Sequence, residues 1–255
     1  MITADLHGKT ALVTGGASGV GLATVELLAR CGATVALNHR PGNRSVSDEI
    51  ARLTALGFGV VSAPGDASKP REIERTFAAA IDRLGRLDIL VNNAATPGAP
   101  SKGKRIHYRD LDVVTEEWWL EVLSTNLMGP FFCTRAASRA LKDARGAVVN
   151  TASIAGIGPV GSNMVYGASK AGLIRLTTYL SRSLAPEVRV NAVAPGYIDT
   201  PWTKDWPAEL KEGAIARTPL KRACTPEDIA EVILFFAAGA AMVTGQTLVV
   251  DGGLL

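Results

Sequence analysis

The 255-residue chain is 47% hydrophobic and 20% charged, the balance of an ordinary globular protein long enough to bury a substantial core. A formal net charge of +3 from scattered residues leaves no nucleic-acid-binding footprint. Cys31, Cys133 and Cys224 are widely spaced, with no Cys-x-x-Cys pair to suggest a disulfide framework or a metal site. Residues 1–9 lack an apolar signal core, and the longest apolar run, near 232–243, is too short to span a bilayer, so a cytoplasmic location without membrane attachment is expected.

The first predicted strand, 10–13, runs into the glycine-rich turn Thr14-Gly-Gly-Ala-Ser-Gly-Val-Gly21 and then a helix whose Leu22, Val25, Leu28 and Ala29 recur at helical spacing. Missing side chains at Gly15, Gly19 and Gly21 would let backbone N–H groups approach a pyrophosphate at the helix N-terminus, with Ser18 and Val20 beside them. The second strand, 34–37, ends in Asn38-His39-Arg40, where an NAD site would normally place a carboxylate for the ribose 2′-hydroxyl. An arginine there can grip a 2′-phosphate in a fork, which favours NADP(H) with NAD(H) as the alternative; Arg44 is a weaker second candidate. After the third strand, 59–62, Asp66 either accepts from an adenine amine or caps the next helix, whose Ile73, Phe77, Ala80 and Leu84 share a face.

The fourth strand, 88–91, precedes an irregular, basic segment at 96–112. Its Lys102, Lys104, Arg105, His107 and Arg109 either attract an anionic substrate or are simply solvated. Trp118 and Trp119 open a helical pattern containing Asn126, an indifferent residue for a helix interior that marks either a kink or a solvent-facing position. The fifth strand, 147–150, is followed by Ser153, able to donate to a substrate oxygen or to cap a turn. Thirteen residues on, Tyr166-Gly-Ala-Ser-Lys170 puts a phenol and an ammonium on one helical face. A free phenol, with its pKa near 10, is a poor base at neutral pH, and a neighbouring ammonium is expected to lower it into use. After the sixth strand, 188–193, an irregular segment at 197–220 carries Trp202 and Trp206, and the seventh strand, 247–250, leads into apolar C-terminal residues suited either to the core or to a subunit contact. Repeated strand and helix units predict an α/β fold: one Rossmann-type doubly wound domain, a seven-stranded parallel sheet with helices on both faces.

From residue 9 to 255 the sequence resembles the short-chain dehydrogenase/reductase family. The resemblance rests on Thr14-Gly-x-x-x-Gly19-x-Gly21, Asn92-Asn93-Ala94-Ala95, Asn126, Ser153, Tyr166-x-x-x-Lys170, Pro195-Gly196, Val243-Thr-Gly-Gln and Asp251-Gly-Gly, all in the family's order. It implies Tyr166 as acid/base, Ser153 as carbonyl holder, Lys170 as ribose anchor and pKa modulator, and Asn126 as holder of a relay water. It further implies an adenine contact at Asp66 and Ala67, cleft-lining Asn93, a segment over the nicotinamide at Pro195, Gly196, Ile198 and Thr200, and a homotetramer or homodimer. The chain is most similar to reductases of the 3-oxoacyl-carrier-protein reductase type, departing from them in Ala95, in a longer 96–112 segment and in the short 185–189 turn. The expected substrate is a small ketone or secondary alcohol.

Overall fold

Strand β1 (Thr10–Val13) is buried at every residue, and its side chains divide between two cores: Ala11 and Val13 enter one, Leu12 the other. The same alternation runs through β2 (Thr34–His39), where Val35 and Leu37 oppose Ala36. With β3 (Val60–Pro64), β4 (Ile89–Asn92), β5 (Ala147–Thr151), β6 (Arg189–Pro195) and β7 (Thr247–Val250), these strands form one seven-stranded sheet in the order β3-β2-β1-β4-β5-β6-β7. Every pairing is parallel. Strands covered on both faces need no polar side, which is why the central ones read as unbroken apolar runs. The computed structural model describes residues 3–43, 45–98, 110–158 and 163–255, so Arg44 and the basic residues at 102–109 lie outside the described residues.

Eight helices are described: α1 (Gly19–Arg30), α2 (Ser45–Ala55), α3 (Pro70–Leu84), α4 (Glu116–Leu123), α5 (Gly129–Ala144), α6 (Met164–Ser183), α7 (Ala208–Arg217) and α8 (Pro226–Ala238). Val25 and Leu28 of α1, Leu53 of α2 and Ile229 and Ile233 of α8 fill the core on one face of the sheet. Ile73 and Phe77 of α3, Ala137 and Leu141 of α5 and Leu180 of α6 fill the other. The sheet and its two helical layers are the expected ones; β3, β4 and β6 begin one residue later than expected, and five strands run one or two residues further at their carboxyl ends. The 197–220 segment, read from sequence as irregular, contains α7. Its helix formers, Ala208-Glu-Leu-Lys-Glu, follow Pro207 directly, and they outweigh the flanking prolines and tryptophans that suggested a loop. Among the described residues no helix is long and apolar enough to cross a membrane.

At the amino edge of the sheet, Asp88 ties β1 to the start of β4. Its carboxylate accepts from the Thr10 backbone N–H at 3.0 Å, from Arg86 through Nε and an NH2 at 2.8 and 2.6 Å, and from Lys9 Nζ at 3.1 Å. Burial works to raise the carboxyl, but the hydrogen bonds from Arg86, Thr10 and Lys9 hold it below the usual carboxylate range. A depressed carboxylate stabilises the fold fully above its unfolded pKa, and the contribution is lost as pH falls through the lower folded value. Asp88→Asn is therefore expected to remove about 2 kcal/mol of stability near neutral pH. In urea titrations the gap to wild type should close as pH falls below about 4. A gap independent of pH would show that charge is not the source.

Candidate active site

The chain runs outward from β1 to β3 and then crosses back to β4 on the other side of β1, so a crevice opens where the carboxyl ends of β1 and β4 part. Thr14 pins that junction. Its backbone N–H donates to Val91 O at 2.9 Å, and its hydroxyl oxygen accepts from the N–H groups of Asn93 and Ala94 at 2.9 and 3.0 Å. The Asn93 amide donates to the carbonyls of Thr14 and Gly15 at 3.2 and 3.3 Å, fastening the glycine turn to β4.

A cavity of about 1190 Å³ begins at this junction. Gly15, Ser18, Gly19, Val20, Arg40, Asp66, Ala67, Asn93, Ser153, Tyr166, Lys170, Pro195, Gly196, Ile198 and Thr200 all line it. Two expected site residues do not. At Gly21 a Cβ would stand 2.1 Å from Gly15 O, so this glycine serves close packing of α1 on its own turn rather than contact with the cavity. Asn126 is wholly buried: its amide accepts from Thr96 N–H at 2.8 Å and donates to Thr96 O and Ser169 Oγ at 2.9 and 3.1 Å.

The cavity's first half suits a dinucleotide. Gly19, with φ +51, opens α1, and a Cβ there would meet nothing closer than Thr200 at 3.5 Å. Ser18 makes no side-chain cap and the first turn of α1 has no acid, so the positive helix end faces the cavity without a carboxylate of its own. At the end of β2, the Asn38 amide is committed to β3, donating to Ala63 O and Gly65 O at 2.9 and 3.0 Å. The neighbouring Arg40 is mostly exposed and stands 3.7 Å from Asp66. Asp66 also accepts from the N–H and hydroxyl of Ser68 at 2.9 and 2.7 Å, closing a turn before α3 rather than capping the helix, whose N-cap is Lys69. Burial tends to raise this carboxyl, but the Ser68 hydrogen bonds and the Arg40 charge hold it below its ordinary value. Farther along the cavity, at the end of β5, Thr151 Oγ1 is buried with no hydrogen-bond partner among the described residues.

In the second half, Asn163 starts α6 by accepting from Tyr166 N–H at 2.8 Å, which directs the first turn of the helix at the cavity. Ser153, just beyond β5, caps a turn by accepting from Ala155 N–H at 3.2 Å, and its hydroxyl works to lower the pKa of the neighbouring Tyr166 phenol. One helical turn below Tyr166, Lys170 is 2% exposed and donates to Thr151 O at 2.6 Å, with Nζ 5.5 Å from the centre of the Tyr166 ring. The spacing argument expects Lys170 to lower the pKa of Tyr166. Here burial dominates instead: the phenol is pushed up to about 12 despite the Ser153 hydroxyl, and the lysine down to about 7. Trp202 stands edge-on to Tyr166 at 6.1 Å, and Trp206 stacks on Tyr197 at 5.7 Å. Trp118 lines the cavity and donates to Pro97 O at 2.9 Å, whereas Trp119 packs behind it in a small apolar cluster.

Residues 15–255 match the profile of a family described as Enoyl-(Acyl carrier protein) reductase. The 3-oxoacyl-(acyl-carrier-protein) reductase FabG of Thermotoga maritima is 37% identical, over 98% of this chain and 99% of its own. Cis-4-hydroxycyclohexanecarboxylate dehydrogenase of Sinomonas cyclohexanicum is 38% identical over 96% of each chain. A solved short chain dehydrogenase from Burkholderia cenocepacia in complex with NADP superposes with a TM-score of 0.87 at 30% identity, covering 98% of this chain and 99% of that one. The chain belongs to the short-chain dehydrogenase/reductase family. It is an oxidoreductase family whose members the chain matches along nearly its full length.

Sequence reasoning does not find two organising residues of this short-chain dehydrogenase/reductase. Thr14 was readable only as a member of the glycine motif, since nothing local says that two N–H groups from a distant strand will converge on its hydroxyl. Asn163 carried a usable signal, an asparagine three residues before Tyr166 at a helix start.

The buried lysine has a measurable signature. An unfolded chain keeps the Lys170 proton up to its ordinary value of 10.5, the folded one only to about 7. Between those values the unfolded state binds more protons, so stability rises with pH. Urea titrations at about pH 7, 8.5 and 10 should show wild type gaining stability relative to Lys170→Met. A constant offset between the two proteins would mean that Lys170 keeps its charge in the fold.

Proposed function

We propose that the protein is an NADP(H)-dependent oxidoreductase that interconverts a ketone and a secondary alcohol, with Tyr166 as its acid/base. The observation that carries this reading is the neighbouring pair of Ser153 and Tyr166, two hydroxyls in a cavity shared with the open end of α1. Two neighbouring donors suit a single carbonyl oxygen, and the 3-oxoacyl reductase relative is named for an oxo substrate while the hydroxy-acid dehydrogenase relative is named for an alcohol.

A nicotinamide dinucleotide bound in the cavity would supply the hydride or accept it. In the reductive direction, Tyr166 donates its phenolic proton to the substrate oxygen as negative charge develops there, while Ser153 donates a hydrogen bond to the same atom. Near neutral pH Lys170 is poised between its charged and neutral forms; charged, it eases proton release from Tyr166 and can donate to a ribose hydroxyl. Ser18, Gly19 and Val20 would hold the diphosphate, Asp66 and Ala67 the adenine, and Arg40 a 2′-phosphate. Pro195, Gly196, Ile198 and Thr200 would flank the nicotinamide, beside Asn93.

Asn126 belongs to this scheme through its backbone. Its side chain is fully engaged, but Pro130, four residues on, has no N–H to give the Asn126 carbonyl, and the helix widens into a π turn over Ser124–Met128. That carbonyl is the proposed acceptor for a relay water. Leu248 and Leu255 remain exposed at the C-terminal end, which supports the expected homodimer or homotetramer more than a role in covering the core. We also retain the cytoplasmic location as part of this proposal.

Turnover of NADPH and NADH against ketones, diketones, a 3-oxoacyl thioester and an enoyl thioester tests the reading directly. Tyr166→Phe should lower kcat about a hundredfold to ten-thousandfold while NADPH binding, followed by fluorescence, persists. Unchanged turnover would remove Tyr166 from the chemistry, whereas no turnover by wild type with either cofactor despite measurable binding would favour an idle dinucleotide-binding role. Arg40→Ala should reduce the NADPH over NADH preference in kcat/KM about tenfold or more, because a charged fork on a phosphate is lost. Preference surviving that change would remove Arg40 as the residue that reads the 2′-phosphate.

A further inference from the structure

Helix α7 faces the cavity with one stripe. Leu210, Ala214 and Arg217 recur at intervals of four and three residues, so they lie along one side of the helix, and all three line the cavity together with Pro207 at its start. No residue of α7 is buried in the core. The stripe turns from apolar to cationic at its last residue. Trp118, Trp202, Trp206 and Leu254 line the same cavity.

Among the described residues lining the cavity, four carry a formal charge: Arg40, Asp66, Lys170 and Arg217. Arg40 and Asp66 pair at the cofactor end, and Lys170 is held beneath Tyr166 by the Thr151 carbonyl. Arg217 is the one carried by α7, the helix that follows the segment bringing Trp202 to Tyr166. Its Nε donates to Gly213 O at 3.2 Å, and among the described residues its two terminal NH2 groups have no partner. The neighbouring cations are otherwise engaged: Lys211 with Lys204 O, Lys221 with Ala216 O, and Arg222 with Asp228. Apart from Asp66, no carboxylate among the described residues lines the cavity to oppose an incoming anion.

We propose that Arg217 is a specificity-determining residue that receives an oxyanion on the substrate, so that the preferred ketone has an apolar body, seated among the tryptophans and Leu210, and an anionic group remote from the carbonyl. The inference rests on the ketone and alcohol reading above and adds the substrate class to it. A carboxylate of an oxo acid and the phosphate of a phosphopantetheine thioester present the same chemistry to a guanidinium fork.

Two matched pairs separate those sources: 4-oxocyclohexanecarboxylate against its methyl ester, and acetoacetyl phosphopantetheine against acetoacetyl pantetheine. Wild type should have the lower KM for the anionic member of at least one pair. Arg217→Ala should raise that KM about tenfold more than the KM of the neutral partner, a modest effect because the arginine is solvent-exposed, and Arg217→Lys should recover part of it. Equal KM values within both pairs for wild type, or an equal rise within a pair for the variant, would overturn the assignment. Turnover of the neutral ketones checks the underlying reading separately. If wild type reduces no ketone, quenching of tryptophan fluorescence by cyclohexanecarboxylate and by cyclohexanecarboxamide, with NADP+ present, still decides the matter. Preference for the carboxylate that disappears in Arg217→Ala upholds the anion site, and equal binding of the two by wild type refutes it.

Discussion

The hydroxyl of Thr14 is the point on which the site depends. The parallel sheet brings β1 and β4 side by side, but parallel strands leave their carboxyl ends free to splay, and two backbone N–H groups beyond β4 have no strand partner there. Thr14 accepts from both while the Asn93 amide reaches back to the glycine turn. The crevice is thereby closed at its base and open above. Everything that lines the cavity is positioned relative to this knot: the start of α1 on one side, Ser153 and Tyr166 on the other.

The catalytic half follows a second constraint, the cost of burying charge. Lys170 sits beneath the sheet edge with a single carbonyl to receive its proton, and Tyr166 is shielded by its own helix and by Trp202. Both groups are pushed toward neutrality. A site in this condition is primed rather than charged. An anionic group entering the cavity favours the charged lysine and disfavours the phenolate, so the protonation of the pair is coupled to occupancy by ordinary electrostatics.

The sheet was legible in the sequence because its order is enforced by burial. Ala11, Leu12 and Val13 can be read as a strand covered on both faces without knowing what covers it, and the recurrence of Ile73, Phe77 and Ala80 predicts a helix on that sheet for the same reason. The Tyr166 and Lys170 pair was legible because helical geometry fixes what lies four residues apart. Three features were hidden by their dependence on distant contacts. Gly21 looks like its motif companions, yet its constraint is Gly15 O pressing on it from the preceding turn. The pKa of Tyr166 depends on burial, which spacing does not report. Helix α7 escaped notice because the prolines and tryptophans around it obscured a short run of good helix formers, and because it has no core-facing pattern to announce it.

That last property has an evolutionary reading. A helix that contributes nothing to the core is released from the selection that preserves folding, while its inward stripe still shapes what the cavity admits. Substitutions at Leu210, Ala214 and Arg217 can therefore accumulate without endangering the sheet or the Thr14 junction. The scaffold thus separates a half tied to the core and the Thr14 junction from a border whose residues can change without disturbing either.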